Sequence, residues 1–188
     1  MARRHREAWV ICAGLTACHR SQPAPSPTDR VVAATRDAFE IDGELNEPDW
    51  NRLGDPQAFT FEDHEARPYS QIRLLHDADH LYVGLYAADQ DIRSTEHFDL
   101  TIGSLQLSVD PLGRVTAAIP GVRSGKDADG TIDQPTDEDE EWVIELAIPL
   151  GATGLRDAPA PARASRCDTT KDGVARCGTW SARLRLGE

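Results

Sequence analysis

The chain lacks a long apolar run. Its first hydrophobic stretch, Ala8–Ala17 (AWVICAGLTA), covers ten residues, about half the roughly 20 that a membrane-crossing helix requires. Positive charge is also scarce. Twenty Lys and Arg face 32 Asp and Glu in 188 residues, a formal charge of −12, and an acidic surface of that size repels phosphate backbones, so nucleic acid is excluded as a partner. No stretch keeps a helical apolar period beyond two turns, and no internal repeat is present. Sequence patterns that mark common catalytic centres (G-x-S-x-G, H-E-x-x-H, a phosphate-binding P-loop) are missing, so the chain is not expected to be an enzyme. The 14 glycines and 12 prolines, widely spread, favour short strands joined by turns.

Cysteine is sparse too, and its placement is informative. Arg3, Arg4 and Arg6 precede the short apolar stretch, which ends in Leu15-Thr16-Ala17-Cys18. That arrangement resembles the leader and lipobox of bacterial lipoproteins. The alternatives are an ordinary signal peptide or a short buried helix that ends in cysteine. The resemblance implies that residues 1–17 are cut away and that Cys18 carries a lipid. Residues 18–30, which contain the Pro/Ser-rich run Ser21–Thr28 (SQPAPSPT), then form a semi-extended tether, and residues 31–188 form the folded domain. The implied location is an exported bacterial lipoprotein at the outer membrane, facing the periplasm or the cell surface, with the membrane as partner through the lipid. Cys12 leaves with the leader, so Cys167 and Cys177 remain, and an oxidising compartment is expected to pair them. Closing a loop that short stabilises a fold by about 2–3 kcal/mol through the unfolded state.

The domain reads as strands. Tyr69–Leu75 and His80–Ala88 flank the polar turn His76-Asp77-Ala78-Asp79, a hairpin pattern. Leu105, Leu107 and Val109 alternate with Gln106 and Ser108, as on a half-buried strand. Trp142, Ile144, Leu146 and Ile148 share one face of Glu141–Ile148, and Trp180, Ala182, Leu184 and Leu186 share one face of Gly178–Leu186. Arg114–Ile119 reads as a further strand, with short apolar runs at Val31–Ala34 and Ala38–Ile41. Eight to ten short strands of this kind predict an all-β fold, an antiparallel β-sandwich or jelly roll. Trp50, Tyr82 and Trp142 are expected in its core. Asp127–Ile132 reads as a turn, Asp137–Glu141 as a solvated charge run, and His76, Asp77, Asp79 and His80 as an exposed hairpin loop.

In their order these landmarks resemble family 9 carbohydrate-binding modules. Ile41-Asp42-Gly43-Glu44-Leu45-Asn46-Glu47-Pro48-Asp49-Trp50 is similar to the family's opening signature. Leu74–Val83 with Asp89-Gln90-Asp91-Ile92 is similar to its second block, Val109-Asp110-Pro111 to the end of a central strand, Trp142–Pro149 to a late strand and Leu184-Arg185-Leu186 to the closing one. The resemblance implies a glycan partner, a polysaccharide or oligosaccharide, stacked on aromatic rings. In the segment where a stacking tryptophan would lie, the residues left are Phe98 and, on the next strand, Gln106; Gly103 stands in the place of an acid. Structural calcium is also implied near the Asp-rich turn, with Asp89, Asp91 and Asp99 as its ligands.

Two function classes follow. One is a membrane-anchored carbohydrate-binding lipoprotein of the cell envelope; the other is a protein–protein or envelope scaffold on the same fold, its sugar site lost. The anchoring expectation has a direct test. Cys18→Ala is expected to leave an unprocessed or soluble protein with no label after growth on radioactive palmitate, and label on that variant would refute lipidation at Cys18.

Overall fold

The structure is a computed structural model that describes residues 28–116, 119–169 and 175–188. The leader, Cys18 and the tether up to residue 27 lie outside the described residues. No helix of the described residues is long and apolar enough to cross a membrane.

Among the described residues, thirteen strands and two short helices follow one another: β1 Thr28–Ala34, α1 Pro48–Arg52, β2 Gln57–Ala58, β3 Thr60–Phe61, β4 His64–Glu65, β5 Ser70–His76, β6 His80–Ala88, β7 Phe98–Ile102, β8 Leu105–Val109, β9 Val115–Thr116, β10 Arg123–Asp129, β11 Glu141–Pro149, α2 Leu150–Thr153, β12 Ala160–Thr169 and β13 Ala175–Leu186. They make two sheets. In one, β10, β11, β6 and β5 pair antiparallel in that order, with β2 on the far side of β5. In the other the order is β13, β12, β7, β8 and β9, also antiparallel, with the small β3–β4 hairpin attached to β13 at Thr179. The expected all-β sandwich is what forms.

β1 belongs to both sheets. Thr28–Val32 run parallel to Ala182–Leu186 of β13, and then Ala33 and Ala34 pair in parallel with Leu75 and His76 of β5. Thr28, Asp29 and Arg30, read from sequence as the end of the tether, are therefore strand residues.

Alternation decides which side chains face inward. Trp142, Ile144, Leu146 and Ile148 of β11, and Leu81, Val83, Leu85 and Ala87 of β6, point at Phe98, Leu100, Ile102, Leu105, Leu107 and Val109 of the opposite sheet. All lie in one buried core with Trp180, Ala182 and Leu184. The opposite face of the β13 sheet is solvated, with Ser181, Arg183 and Arg185 exposed between buried neighbours. The β11–β6 sheet has no such open face at its centre, because residues 35–54 lie across it. Trp50 of α1 packs there on Leu75, Tyr82 and Ala147, with Phe39, Ile41, Leu45 and Leu53 around them. Phe39 stacks on Tyr82 (centroids 4.2 Å apart) and meets Trp50 edge-on at 5.3 Å, arrangements that suit the ring quadrupoles.

That covering segment is pinned by a buried carboxylate. Glu145 of β11 accepts the indole N–H of Trp50 at 3.1 Å and the backbone N–H groups of Asp42 and Gly43 at 3.3 Å each. Gly43 has φ +101°, and a Cβ there would come within 2.3 Å of the Lys126 backbone, so the chain can cross β10 at this point only as glycine.

Several elements differ from the expectation. Ala38–Ile41 is not a strand, and among the described residues of Arg114–Ile119 only Val115 and Thr116 are. Asp127 and Asp129, read as a turn, end β10, and the chain turns at Gly130 with φ +143°. The apolar residues on the inner face of β12 are all alanines, Ala160, Ala162 and Ala164, a weak hydrophobic signal. Cys167 and Cys177 stand opposite each other on β12 and β13 and are joined by a disulfide, as expected, with Cα atoms 4.0 Å apart.

The sign of one pH dependence follows from Glu145. Burial, with the nearby Glu47 charge adding to it, pushes its carboxyl up to about 7 from 4.5, although its hydrogen-bond donors pull the other way. A raised acid favours folding fully below its unfolded value, and that contribution is lost as pH rises through the folded value. Relative to Glu145→Gln, the wild type should lose stability, by up to about 3 kcal/mol, between pH 4.5 and pH 7.5. Urea midpoints at the two pH values measure this; a constant offset between the proteins would refute it.

Candidate functional site

β6 ends in the turn Asp89-Gln90-Asp91-Ile92. Asp89 shapes it by accepting the Asp91 backbone N–H at 3.0 Å, and the chain is then held by Asp139, which accepts the N–H groups of Ile92 (2.7 Å) and Thr131 (2.8 Å). Asp139, expected in a solvated charge run, is in fact buried at 4% exposure. It serves as a two-loop clasp.

The other oxygen of Asp89 faces the interior. It accepts the Trp142 indole N–H at 3.2 Å and an Arg166 Nη2–H at 2.6 Å. Arg166 lies on β12, in the other sheet, where the inward alternation of Ala160, Ala162 and Ala164 continues into Arg166 and Asp168. Its guanidinium reaches across the gap. Nη1 donates to the Ala88 carbonyl at 3.2 Å and to Ser70 Oγ at 3.4 Å, and Nη2 also meets Glu96 at 3.3 Å and lies 4.0 Å from Asp168. The Trp142 ring centroid is 5.5 Å from its central carbon, within cation–π range.

Three buried acids therefore surround one buried cation. Burial, with hydrogen bonds to Asp89 and Asp168 adding to it, drives the Glu96 carboxyl far above the ordinary carboxylate range. A shift in that direction favours the protonated form of Glu96, which removes one negative charge that Arg166 could not offset.

This arrangement corrects the calcium expectation. Oxygens of Asp89, Glu96 and Asp168 lie within 4.8 Å of one another, close enough to hold an ion, but the guanidinium stands among them and supplies the positive charge. Asp91 is paired with Arg93. Asp99 is exposed on the outer face of β7, bonded to Ser108 and 3.5 Å from His97. Asp89, Asp91 and Asp99 thus form no common ligand set and do not fit the hard-cation shell of six or more oxygens.

The sugar-stacking expectation is corrected as well. Phe98 is 0% exposed. Its ring packs between Phe59 (5.8 Å) and Trp142 (4.8 Å) in the core, so no ligand can reach its face. Gln106 points the opposite way, exposed on the outer face of β8 across from Thr101. Trp50, Trp142 and Trp180 are all buried, as is Tyr82, which agrees with their reading as core aromatics. The His76–His80 loop is a turn closed by Asp77, whose carboxylate accepts the N–H groups of Asp79 and His80 and the Tyr82 hydroxyl.

Above the acid cluster the surface opens into a cleft of about 670 Å³. Its lining includes Asp89, Asp91 and Asp168 from the side of the cluster, with Tyr69, Gln90, Arg67 and Arg176.

No protein-family model and no curated protein matches the chain. Solved structures do. A family 9 carbohydrate-binding module from Caldicellulosiruptor kristjanssonii, in complex with cellotriose, superposes with a TM-score of 0.61 at 12% identity over 86% of this chain and 95% of that one. The same organism's module in complex with glucose gives 0.55 at 12% identity over 85% and 97%. A candidate carbohydrate-binding protein of Bacteroides uniformis gives 0.56 at 11% identity over 86% and 100%. The domain has the β-sandwich fold of family 9 carbohydrate-binding modules.

The buried cluster yields a paired prediction. Arg166→Met should destabilise the domain by about 3–5 kcal/mol, because it strands buried carboxylates without a cation. Glu96→Gln, which mimics a protonated glutamate, should change stability by about 0.5 kcal/mol or less. Denaturant unfolding at pH 7 checks both, and equal losses in the two variants would show that Glu96 is ionised.

Proposed function

We propose that the chain is a non-catalytic carbohydrate-binding domain, tethered to a bacterial membrane by lipid on Cys18 and displayed in the cell envelope. The observation that carries the reading is the superposition, over nearly the whole domain, on modules solved with cellotriose and glucose. The cleft supports it. Carboxylates, an amide and guanidinium groups around a tyrosine offer acceptors and donors for sugar hydroxyls. The Leu-Thr-Ala-Cys box followed by a Pro/Ser-rich spacer supports the anchored placement.

A second reading, an envelope scaffold that binds protein, is favoured by a separate observation. Every described tryptophan is buried, so the indole platforms that hold sugars in such domains have no counterpart on the described surface. An array of immobilised glycans, probed with the intact chain in mild detergent, decides between them. Retention on one or more oligosaccharides, competed by the same free sugar, is the expected result. Retention on none would leave the scaffold reading.

A further inference from the structure

Among the described residues the exposed large apolar side chains are Val31, Phe61 and Leu112. Only Phe61 is aromatic. It sits on the β3–β4 hairpin and is 57% exposed. A solvated phenyl group costs free energy in hydration, and nothing in the hairpin's strand pairing requires one there. Its surroundings form a second recess of about 450 Å³, lined by Phe61, His64, Glu65 and the chain at Cys177.

This recess shares Arg67 and Arg176 with the cleft above the acid cluster, so the two adjoin at those arginines. Taken together as one groove, they offer an apolar, ring-bearing end and a hydroxyl-recognising end. The β3–β4 hairpin is attached to β13 at Thr179, and the Cys167–Cys177 disulfide fixes β13 to β12 at the same level. Asp168 and Arg176 of the polar end and Ala175, Arg176 and Cys177 of the apolar end lie on that pair of strands.

We infer that this groove is a glycan site in which Phe61 is the stacking platform, and that its ligand is a neutral oligosaccharide. The inference rests on the carbohydrate-binding reading and adds the location and the ligand class. The ring face suits the C–H face of a pyranose. Gln90 and Glu140, exposed at the polar end, with Arg67 and Arg176 beside them, accept from and donate to sugar hydroxyls. The lining holds five acids, of which Asp89 and Asp91 are paired with Arg166 and Arg93 while Glu140 is exposed, and the chain as a whole carries a net charge of −12. A uronate or sulfated glycan meets like charge there. The two recesses, of about 670 and 450 Å³, together hold more than a single ring, which favours an oligosaccharide over a monosaccharide.

The test uses the intact chain, an array of neutral gluco-, xylo-, manno- and N-acetylglucosamine oligomers, and oligogalacturonates as the acidic comparison. The strongest neutral hit is then titrated against wild type, Phe61→Ala, Arg67→Ala and the distant control Leu112→Ala. A neutral hit is expected whose affinity falls about 10-fold or more in Phe61→Ala and less in Arg67→Ala, with Leu112→Ala unchanged and all melting temperatures within about 2 °C. Undiminished binding by Phe61→Ala would place the site elsewhere, and hits confined to oligogalacturonates would overturn the ligand class; either leaves carbohydrate binding intact. Retention of no glycan at all would overturn this inference and the reading beneath it together.

Discussion

The guanidinium of Arg166 joins the two sheets where their apolar contact ends. It is planted on β12 of one sheet and spends its hydrogen bonds on Ser70, Ala88 and Asp89 of the other, with Trp142 beneath it. A sandwich can pack its middle with any well-shaped set of aliphatic residues, but its open ends must satisfy polar turns beside a dry interior. Here one cation among three buried carboxyl groups does that. The Asp89 turn, the position of Trp142 and the adjoining side of the cleft all depend on the same cluster. A buried ionic group of this kind is costly to assemble and more costly to break, so its main consequence is geometric: it leaves the end of the sandwich a single way to close.

Much of the fold was legible because alternation is a strong signal when the inward residues are large. Trp142, Ile144, Leu146 and Ile148 announce β11, and Trp180, Ala182 and Leu184 announce β13. β12 was not legible, since alanine at Ala160, Ala162 and Ala164 and then Arg166 and Asp168 do not read as an apolar face. β10 was hidden for a related reason. Arg123–Asp129 is an edge strand of mostly polar residues, and its strand character comes from pairing with β11, which no local pattern reports.

The site was less legible than the fold, and the error has a physical cause. Phe98 and Gln106 belong to neighbouring strands but to opposite faces, because a strand reverses direction with every residue. Asp89, Asp91 and Asp99 lie close in sequence, yet one faces the interior, one pairs with Arg93 and one faces solvent on the outer sheet. The residues that join Asp89 instead, Glu96 and Asp168, come from β12 and from the approach to β7. The two-residue spacing from Ala160 runs on through Arg166 to Asp168 and places an inward cation beside an inward acid.

The parallel run of β1 along β13 sets how the domain bears load. Thr28–Val32 lie alongside Ala182–Leu186 with five residues in register, and the strand then hands over to β5. A pull on the chain ahead of Thr28, directed along β1, strains those hydrogen bonds side by side, so they must yield together instead of opening one at a time as in an unzipped hairpin. A second grip on the other sheet lies just behind them. The first strand is thus a mechanical fuse of high rating: drag on anything held by the domain is shared between both sheets before the fold gives way.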